Sequence, residues 1–372
     1  MRILVLGTGR MGRDMARTAL GAGWDVTVAS RDEGRLAACL AHLGRDIRRL
    51  RADGGPVGPV RGLLPGMDPG GPFDVLYETV EEDLEAKRQV LESWLPFRAT
   101  NGIVLTNTSS LIPWEIHPEA LGLHLFYPTM LTGFCEVVLP EGCGDPVRQR
   151  LMTLAGLLGL RPIVEIGPRC AQAVNRLLLP SQAWAVRQVI RGLEPSLVDE
   201  AFGRAWPGLR PLALMDSVGP ETIARSVASY RRRMEPEEAR SYEELEAALR
   251  VRARRGRWGS GEDRDPCREP APQVPEGAGP EELARDAAAL FLRTCRVTLD
   301  QGILGEEDLV VALGGLLGAS WPPAGSRDLD WRRRCEERWQ DTGLPWWRPP
   351  EPEGPDAGPF GDPQVRQPGR GG

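Results

Sequence analysis

Short apolar runs alternate with amphipathic stretches along the first 168 residues of the chain. Continuous apolar runs predict strands, and apolar residues at spacings of three and four predict helices. The predicted strands are Arg2 to Leu6, Asp25 to Ala29, Asp74 to Tyr77, Gly102 to Thr106, Gly122 to Phe126 and Phe134 to Leu139. The predicted helices are Arg13 to Leu20, Asp32 to Leu50 and Glu81 to Trp94, with a loop over residues 53–72. This alternation predicts a doubly wound α/β domain in residues 1–168.

Beyond this domain the pattern is helical only. The predicted segments are an all-α domain at 169–262, a Pro/Gly-rich linker at 263–280, a second helical unit at 281–340 and a disordered tail at 345–372. A weak repeat relates Val189–Pro207 to Val297–Pro322, with Gly192 and Gly302 at matching positions. The repeat predicts a duplicated, degenerate helical domain, unless it is a chance similarity of two amphipathic helices.

Composition narrows the class of protein. A length of 372 residues predicts two or three domains, and a net charge of -6 argues against a nucleic-acid partner. The chain contains no apolar run of eighteen residues and opens directly on a strand, so neither a membrane span nor a signal peptide is expected. Seven cysteines without a C-x-x-C pair predict reduced thiols, a cytoplasmic location and no structural metal site.

A glycine-rich turn follows the first strand and opens the first helix. Gly7, Gly9 and Gly12 form G-x-G-x-x-G, within which Arg10 and Met11 occupy the variable positions before the third glycine. The glycines allow a tight turn, close approach of backbone to a pyrophosphate and close helix packing. This context predicts a Rossmann-like fold that binds a dinucleotide through these five residues.

The end of the second strand predicts which dinucleotide is bound. In proteins that bind NAD, an acidic residue at this position accepts a hydrogen bond from the ribose 2′-hydroxyl. This chain instead has Ser30 followed by Arg31. A hydroxyl and a guanidinium accept a 2′-phosphate that a carboxylate would repel. The prediction is therefore NAD(P), with NADP slightly favoured; the alternative is that Arg31 is simply solvated and NAD binds through other contacts.

A histidine and a glutamate stand alone in apolar strands. His124 lies in GLHLFYP and Glu136 in CEVVL, whereas His42 and His117 lie in a polar helix and a loop. A buried carboxylate is rarely left unpaired, so the two are expected to pair. Such a pair makes a general base near neutral pH, although it would also serve as a purely structural contact.

The chain resembles the L-3-hydroxyacyl-CoA dehydrogenase family over about 260 residues. The resemblance lies in GTGRMG, ETVEEDLEAK (Glu78 to Lys87), NTSSL (Asn107 to Leu111), GLHLFYP, CEVV and AVNRLLLP (Ala173 to Pro180). It implies hydride transfer between NAD(P) and C3 of a 3-hydroxyacyl thioester carried by CoA or by an acyl carrier protein.

The resemblance also assigns roles to residues. It implies that His124 is the base, that Glu136 orients it, and that Ser109 and Asn175 position the substrate. Glu82 and Lys87 match positions near the nicotinamide half of the cofactor.

The sequence departs from the family pattern in three respects. Ser30 stands where the family carries an acid, and Tyr127 stands where the HFFNP motif has asparagine. The second helical unit lacks a VNR motif, so no second site is expected.

Two other functions fit part of the sequence. A β-hydroxyacid dehydrogenase of the 6-phosphogluconate-dehydrogenase-like type would share the turn, but it uses a catalytic lysine where this chain has Asn175 and Arg176. A non-catalytic nucleotide-binding relative would not need Ser109, His124, Glu136 and Asn175 together.

The sequence also suggests how the chain meets its substrate carrier and assembles. Arg45, Arg48, Arg49 and Arg51 crowd one helix end and could hold the 3′-phosphate of CoA or an acidic carrier protein, or could be a solvated basic face. A second helical copy on the same chain would cover the surface through which family members dimerise, which favours a monomer with an internal pseudo-dimer over a homodimer. The expected helical contacts of that copy are Leu290, Leu292, Val297 and Leu299.

Overall fold

A single eight-stranded sheet organises the first half of the chain. The computed structural model describes residues 1–167, 172–206, 208–256, 258 and 280–317. The strands are β1 (Arg2–Leu6), β2 (Asp25–Ala29), β3 (Val60–Leu63), β4 (Phe73–Glu78), β5 (Arg98–Thr106), β6 (Ala120–Leu125), β7 (Phe134–Leu139) and β8 (Arg161–Ile166). Their order in the sheet is β3-β2-β1-β4-β5-β6-β7-β8. The strands from β3 to β6 in this order are mutually parallel, and β7 and β8 run antiparallel to them.

Helices cover both faces of the sheet. They are α1 (Arg10–Gly21), α2 (Glu33–Ala52), α3 (Leu84–Trp94), α4 (Pro113–Ile116), α5 (Thr129–Thr132) and α6 (Asp145–Leu157), with a 3₁₀ turn at Leu95–Phe97. Ile3 and Val5 of β1 pack with α1, α2 and α6 on one face. Leu4 and Leu6 pack on the other face, where α3 lies. Burial on both faces explains why the central strands are continuous apolar runs. The predicted doubly wound α/β fold is confirmed.

Several observed elements differ from the predicted ones by a few residues at their ends, and strand β8 and helix α6 were not predicted. Residues 53–72, expected to be a loop, contain β3, which pairs in parallel with β2 at the edge of the sheet. Four residues flanked by glycines and prolines are too short to give a strand signal in the sequence. Helix α3 begins at Leu84 rather than at Glu81, because the Asp83 carboxylate caps the helix by accepting a hydrogen bond from the amide of Ala86 at 2.9 Å.

The second half of the described chain is helical, as predicted. Its helices are α7 (Ala173–Ile190), α8 (Pro195–Ala205), α9 (Pro211–Val218), α10 (Pro220–Arg231), α11 (Pro236–Arg240), α12 (Glu243–Arg255), α13 (Pro280–Asp300) and α14 (Glu306–Leu317). Helix α7 is buried along most of its length and lies at the centre of this region. Phe134 of β7 and Ile163 of β8 belong to the same apolar core, which therefore joins the helices to the sheet.

The segment predicted as a second helical unit packs into the core of the first. Helix α13 lies against α7 and α8, and the rings of Trp206 and Phe291 meet edge to face at 4.9 Å between centroids. Leu290 is fully buried, and Leu292, Val297 and Leu299 are half-buried against the same core, as expected. Of the predicted linker at 263–280, Pro280 is the first residue of α13 and residues 263–279 lie outside the described residues. Residues 318–340 of the second unit and the tail at 345–372 also lie outside them.

Candidate active site

A cavity of about 970 Å³ runs along the edge of the sheet where β1, β2 and β4 end, and separates the sheet from helices α7, α9 and α10. Parallel α/β sheets bind their ligands at this edge. Most of the predicted site residues line the cavity: Gly7, Gly9, Arg10, Met11, Ser30, Arg31, Glu82, Lys87, Ser109, His124 and Asn175. Gly12 and Glu136 do not line it and act from behind its wall.

The glycine turn has the shape of a dinucleotide cradle. Gly7 has a φ of +129°, and a Cβ there would lie 2.6 Å from the carbonyl oxygen of Thr79. A Cβ on Gly12 would collide with the carbonyl of Gly7, whereas Gly9 faces open space. Helix α1 begins directly after Gly9 without a side-chain cap, so its first amides point toward the cavity. These amides suit a pyrophosphate.

Helix α1 is also fixed to the loop that follows β6. The buried carboxylate of Asp14 accepts hydrogen bonds from the Thr129 amide at 2.8 Å and from the Thr129 hydroxyl at 2.5 Å. The Arg10 guanidinium lies 5.4 Å from the ring centre of Tyr127 and donates to the carbonyl of Ser217 in α9 at 2.5 Å. Arg10 thus links the glycine turn to the helical region.

The end of β2 carries polar groups that serve the start of α2. The Ser30 hydroxyl donates to the Asp32 carbonyl at 3.0 Å and accepts from the Asp32 amide at 3.1 Å. Asp32 caps α2 by accepting from the Arg35 amide at 2.7 Å. Arg31 and Arg35 are exposed and line the cavity, so this end of the cavity contains two guanidinium groups and one capping carboxylate. The sequence prediction missed Arg35, although its place in the first turn of the predicted helix could have signalled it.

His124 and Glu136 face each other across neighbouring antiparallel strands. They are register partners of β6 and β7, and the His124 Nδ1 lies 2.7 Å from the Glu136 Oε2. The predicted pairing is therefore observed. With Nδ1 held by the carboxylate, Nε2 is the ring nitrogen available for proton transfer. The ring also meets the edge of Phe126 at 4.4 Å between centroids, which fixes its plane.

Glu136 is held by helix α7 as well as by His124. Its Oε1 accepts a hydrogen bond from the Val174 amide at 2.7 Å. A second buried glutamate, Glu165 of β8, accepts from the preceding amide, that of Ala173, at 2.8 Å. The sequence prediction missed Glu165, although this residue, like Glu136, is a charged residue between apolar residues of a strand.

Burial sets the protonation of the pair. It lowers the pKa of His124 to about 4, against the opposing effect of the carboxylates of Glu82 and Glu165. It raises the pKa of Glu136, which the hydrogen bonds from Val174 and Glu165 counteract. The imidazole is consequently neutral near pH 7, the state that accepts a proton.

Ser109 and Asn175 lie together at the wall of the cavity that His124 also lines. The Asn175 amide nitrogen lies 3.4 Å from the Ser109 carbonyl oxygen, to which the Tyr230 hydroxyl also donates at 3.0 Å. The Gln172 side chain donates to the neighbouring Thr108 carbonyl at 2.6 Å. The loop after β5 is therefore bound to α7 and α10, which positions the Ser109 side chain at the cavity wall.

Glu82 and Lys87 belong to a buried charged network. The Lys87 ammonium lies 2.9 Å from Glu78 and 3.2 Å from Glu82. Glu82 accepts from the Thr108 hydroxyl at 2.6 Å and from the Ser110 hydroxyl at 2.7 Å. Both residues line the cavity. Glu82 holds the loop that contains Ser109 (residues 107–111, the Ser109 loop), and Lys87 in turn holds Glu82. Their expected position near the nicotinamide remains a prediction.

The remaining candidates lie away from the cavity. Arg45, Arg48, Arg49 and Arg51 occupy the far end of α2, and none of them lines the cavity, so their role toward a carrier remains a prediction. His42 is exposed, as expected. Among the described residues there is no cluster of side chains suited to a metal, and none of the helices has the length and apolar character to cross a bilayer.

Comparison with known proteins agrees with this geometry. Residues 2–166 match the model of the 3-hydroxyacyl-CoA dehydrogenase NAD-binding domain. The likeness to this family therefore covers the sheet-containing half of the chain. It is 26% identical over 239 residues to 3-hydroxybutyryl-CoA dehydrogenase of Clostridioides difficile, which covers 60% of this chain and 84% of that relative. A probable 3-hydroxybutyryl-CoA dehydrogenase of Bacillus subtilis is 27% identical over 237 residues, covering 59% of this chain and 82% of the relative.

The family fold extends into the helical half. The solved structure of 3-hydroxybutyryl-CoA dehydrogenase from Escherichia coli superposes with a TM-score of 0.68 at 17% identity, covering 94% of this chain and 97% of that one. The Ralstonia eutropha (S)-3-hydroxybutyryl-CoA dehydrogenase superposes with a TM-score of 0.58 at 21% identity and covers 68% of this chain. At these identities the likeness concerns the fold. The two solved structures thus share with this chain the fold of both the sheet and the helix-rich region.

Proposed function

We propose that this chain is a 3-hydroxyacyl thioester dehydrogenase, which interconverts 3-hydroxyacyl and 3-oxoacyl thioesters with NAD(P). The observation that carries the proposal is the His124–Glu136 pair at 2.7 Å, at the wall of a cavity that also contains the glycine turn and Ser109. The names of the C. difficile and B. subtilis relatives support the substrate class.

The residues around the glycine turn suit a dinucleotide. Gly7 and Gly12 stand where any side chain would collide with backbone, and the amides of α1 are uncapped. A nicotinamide cofactor bound there supplies the hydride acceptor or donor. Everything else required of the protein is alignment and proton transfer.

The proton step follows from the pair. In the oxidation direction, His124 Nε2 accepts the proton of the 3-hydroxyl group while the C3 hydrogen leaves as hydride. Glu136 stabilises the resulting imidazolium through Nδ1, as the acidic member of a catalytic triad does. In the reduction direction, the same nitrogen returns the proton to the new alkoxide. Ser109 and Asn175 hold the hydroxyl and thioester oxygens in place.

The other candidate functions are less well supported. A dehydrogenase that depends on a catalytic lysine would have to use Lys87, the single lysine of the chain, but its ammonium is already bound by Glu78 and Glu82. A non-catalytic relative would not require a histidine–carboxylate pair facing the cavity. The pair, therefore, favours an enzyme.

The cofactor preference is proposed to be for NADP over NAD. Arg31 and Arg35 bring two positive charges to the end of the cavity where a 2′-phosphate would lie, and Ser30 replaces a repelling carboxylate. Asp32 is the one carboxylate at this end, and capping α2 directs it toward backbone amides.

We further propose that the chain acts in the cytoplasm as a monomer. The cysteines of the described residues, Cys39, Cys135, Cys143 and Cys295, are all free thiols. Helix α13 occupies a large apolar face of α7 and α8, which a second chain would otherwise cover. Light scattering at micromolar concentration tests the assembly, and a mass twice that of the chain would contradict it.

The activity is tested with acetoacetyl-CoA and either NADH or NADPH. The absorbance of the reduced nicotinamide should fall with the wild-type protein and stay constant with His124→Ala. Cofactor binding without turnover in the wild-type protein would instead favour the non-catalytic relative. Parallel assays with longer acyl groups and with an acyl carrier protein would define the thioester.

A further inference from the structure

Two buried carboxyl groups lie side by side at the beginning of α7. Glu136 of β7 is fully buried and Glu165 of β8 is 2% exposed. They accept hydrogen bonds from the successive amides of Val174 and Ala173, at 2.7 Å and 2.8 Å. The register pairs Glu136 with Ile163, so Glu165 lies two residues further along the neighbouring strand, on the same face. Strand register and helix terminus therefore hold the two groups together.

Two adjacent buried carboxyl groups cannot both carry a full charge at low cost. Burial raises the pKa of Glu136, and its interaction with the neighbouring Glu165 side chain counteracts this rise and so favours the charged form. A hydrogen bond between two carboxyl groups requires one proton, because ionised carboxylates only accept. The positive end of the α7 dipole favours one negative charge at this place.

We propose that Glu165 is a positioning residue for the base, sharing a single proton with Glu136 so that Glu136 stays anionic and directed at His124. Its effect on catalysis rests on the proposed function. The shared proton itself is a property of the folded chain and does not depend on any substrate.

The other titratable groups around the two carboxyl groups keep the same charge near neutral pH. Burial raises the pKa of Cys135 to about 12, and burial also raises the pKa of Tyr230, so both are neutral near pH 7. Burial opposes the charged form of both Glu82 and Lys87, but Lys87 and the hydroxyl partners lower the pKa of Glu82, and the carboxylates of Glu78 and Glu82 raise the pKa of Lys87, so both remain charged. Among these groups, Glu136 is the one whose pKa lies near neutral pH, because burial raises it to about 7.

The direct test is infrared difference spectroscopy of the full chain against Glu165→Gln. A shared proton should give the carbonyl stretch of a protonated carboxylic acid in the wild-type protein, shifted in deuterated buffer and lost in the variant. Glu92→Gln, at an exposed position of α3, is the matched control and should leave the band unchanged. Absence of the band from the wild-type protein, or its persistence in Glu165→Gln, would overturn the proposal.

The second test is the pH profile of turnover. Glu165→Gln keeps a neutral hydrogen-bond donor, so its kcat near pH 7 should match the wild type, while the alkaline transition caused by loss of the shared proton should disappear. Glu165→Leu removes the donor and should lower kcat about tenfold or more, with unchanged cofactor affinity. Wild-type kcat and an unchanged profile in Glu165→Leu would refute the positioning role. If the wild-type protein itself shows no turnover, the proposed function fails, and the infrared result still decides the shared proton.

Discussion

His124 and Glu136 are direct partners across the antiparallel β6–β7 pair, with Nδ1 and Oε2 2.7 Å apart. The sheet backbone itself fixes their alignment, so neither side chain depends on a flexible loop for its position. Helix α7 adds a hydrogen bond from Val174 to the far oxygen of the carboxylate. In the proposed mechanism, the base is thus held in position before a substrate binds.

Replacing the histidine should abolish most of the activity. His124→Ala removes the proton acceptor and is expected to lower kcat by about 100-fold to 10,000-fold. Glu136→Gln should have a smaller but still severe effect, because the imidazole keeps its place while losing the charge that stabilises the imidazolium. Steady-state kinetics with acetoacetyl-CoA measure both, and titration of the cofactor checks folding. Near-normal turnover of His124→Ala would refute the mechanism.

The value of kcat/KM for the oxidation reaction should persist to a lower pH than it would with a base that has the pKa of a free imidazole. Burial lowers the pKa of His124 to about 4, and the base is active only when neutral. The value of kcat/KM for 3-hydroxyacyl oxidation should therefore hold steady as the pH falls through 6.5, the ordinary histidine pKa, and decline only at lower pH. A pH series at saturating cofactor measures this. An acid limb centred at 6.5 or above would contradict the assigned environment.

Two guanidinium groups are expected to select the cofactor. Arg35→Gln and Arg31→Gln should each raise the KM for NADP about tenfold while leaving the KM for NAD nearly unchanged, because each removes a charge-assisted contact with a 2′-phosphate. Ser30→Asp should shift the preference toward NAD by repulsion. The matched control is Arg45→Gln, at the far end of α2. If the wild-type protein already prefers NAD, this assignment is wrong.

Removing a large side chain from the core between α13 and α8 should lower the free energy of unfolding. Phe291 is fully buried against Trp206, and Phe291→Ala is expected to lower the free energy of unfolding by about 3–5 kcal/mol. Val310→Ala, at a residue of α14 that is 40% exposed, should change it by about 0.5 kcal/mol or less. Urea denaturation measures both. Equal, small effects would indicate that α13 contributes little to the stability of the helical region.

The described thiols should differ strongly in reactivity. Cys135 and Cys295 are fully buried, and burial raises the pKa of both, whereas Cys143 is partly exposed. Because the thiolate is the reactive form, iodoacetamide at neutral pH should modify Cys143 first and leave the other two intact. Peptide mass spectrometry of the native protein reads each position. Rapid modification of Cys135 would show that the strand opens readily.

The sequence predicted those features that depend on local pattern. Apolar runs identified the central strands, and lone charges in such runs identified His124 and Glu136. Edge strand β3 was not predicted because it is short and half exposed. Glu165 and Arg35 carried only weak local signals, a charge among apolar residues and a place in the first turn of a helix. Their importance comes from neighbours that are distant in the chain or across the cavity.

Lys87 is the only lysine in the chain, and its side chain is 1% exposed. A lysine-specific protease therefore has a single side chain to recognise, and in the folded protein that side chain is enclosed between two carboxylates. Amine-reactive reagents likewise meet the amino terminus as the one amine outside this network. Cleavage after Lys87, or labelling of it, would then report opening of the region that holds the Ser109 loop. The reactivity of Lys87 therefore measures whether the candidate active site stays folded.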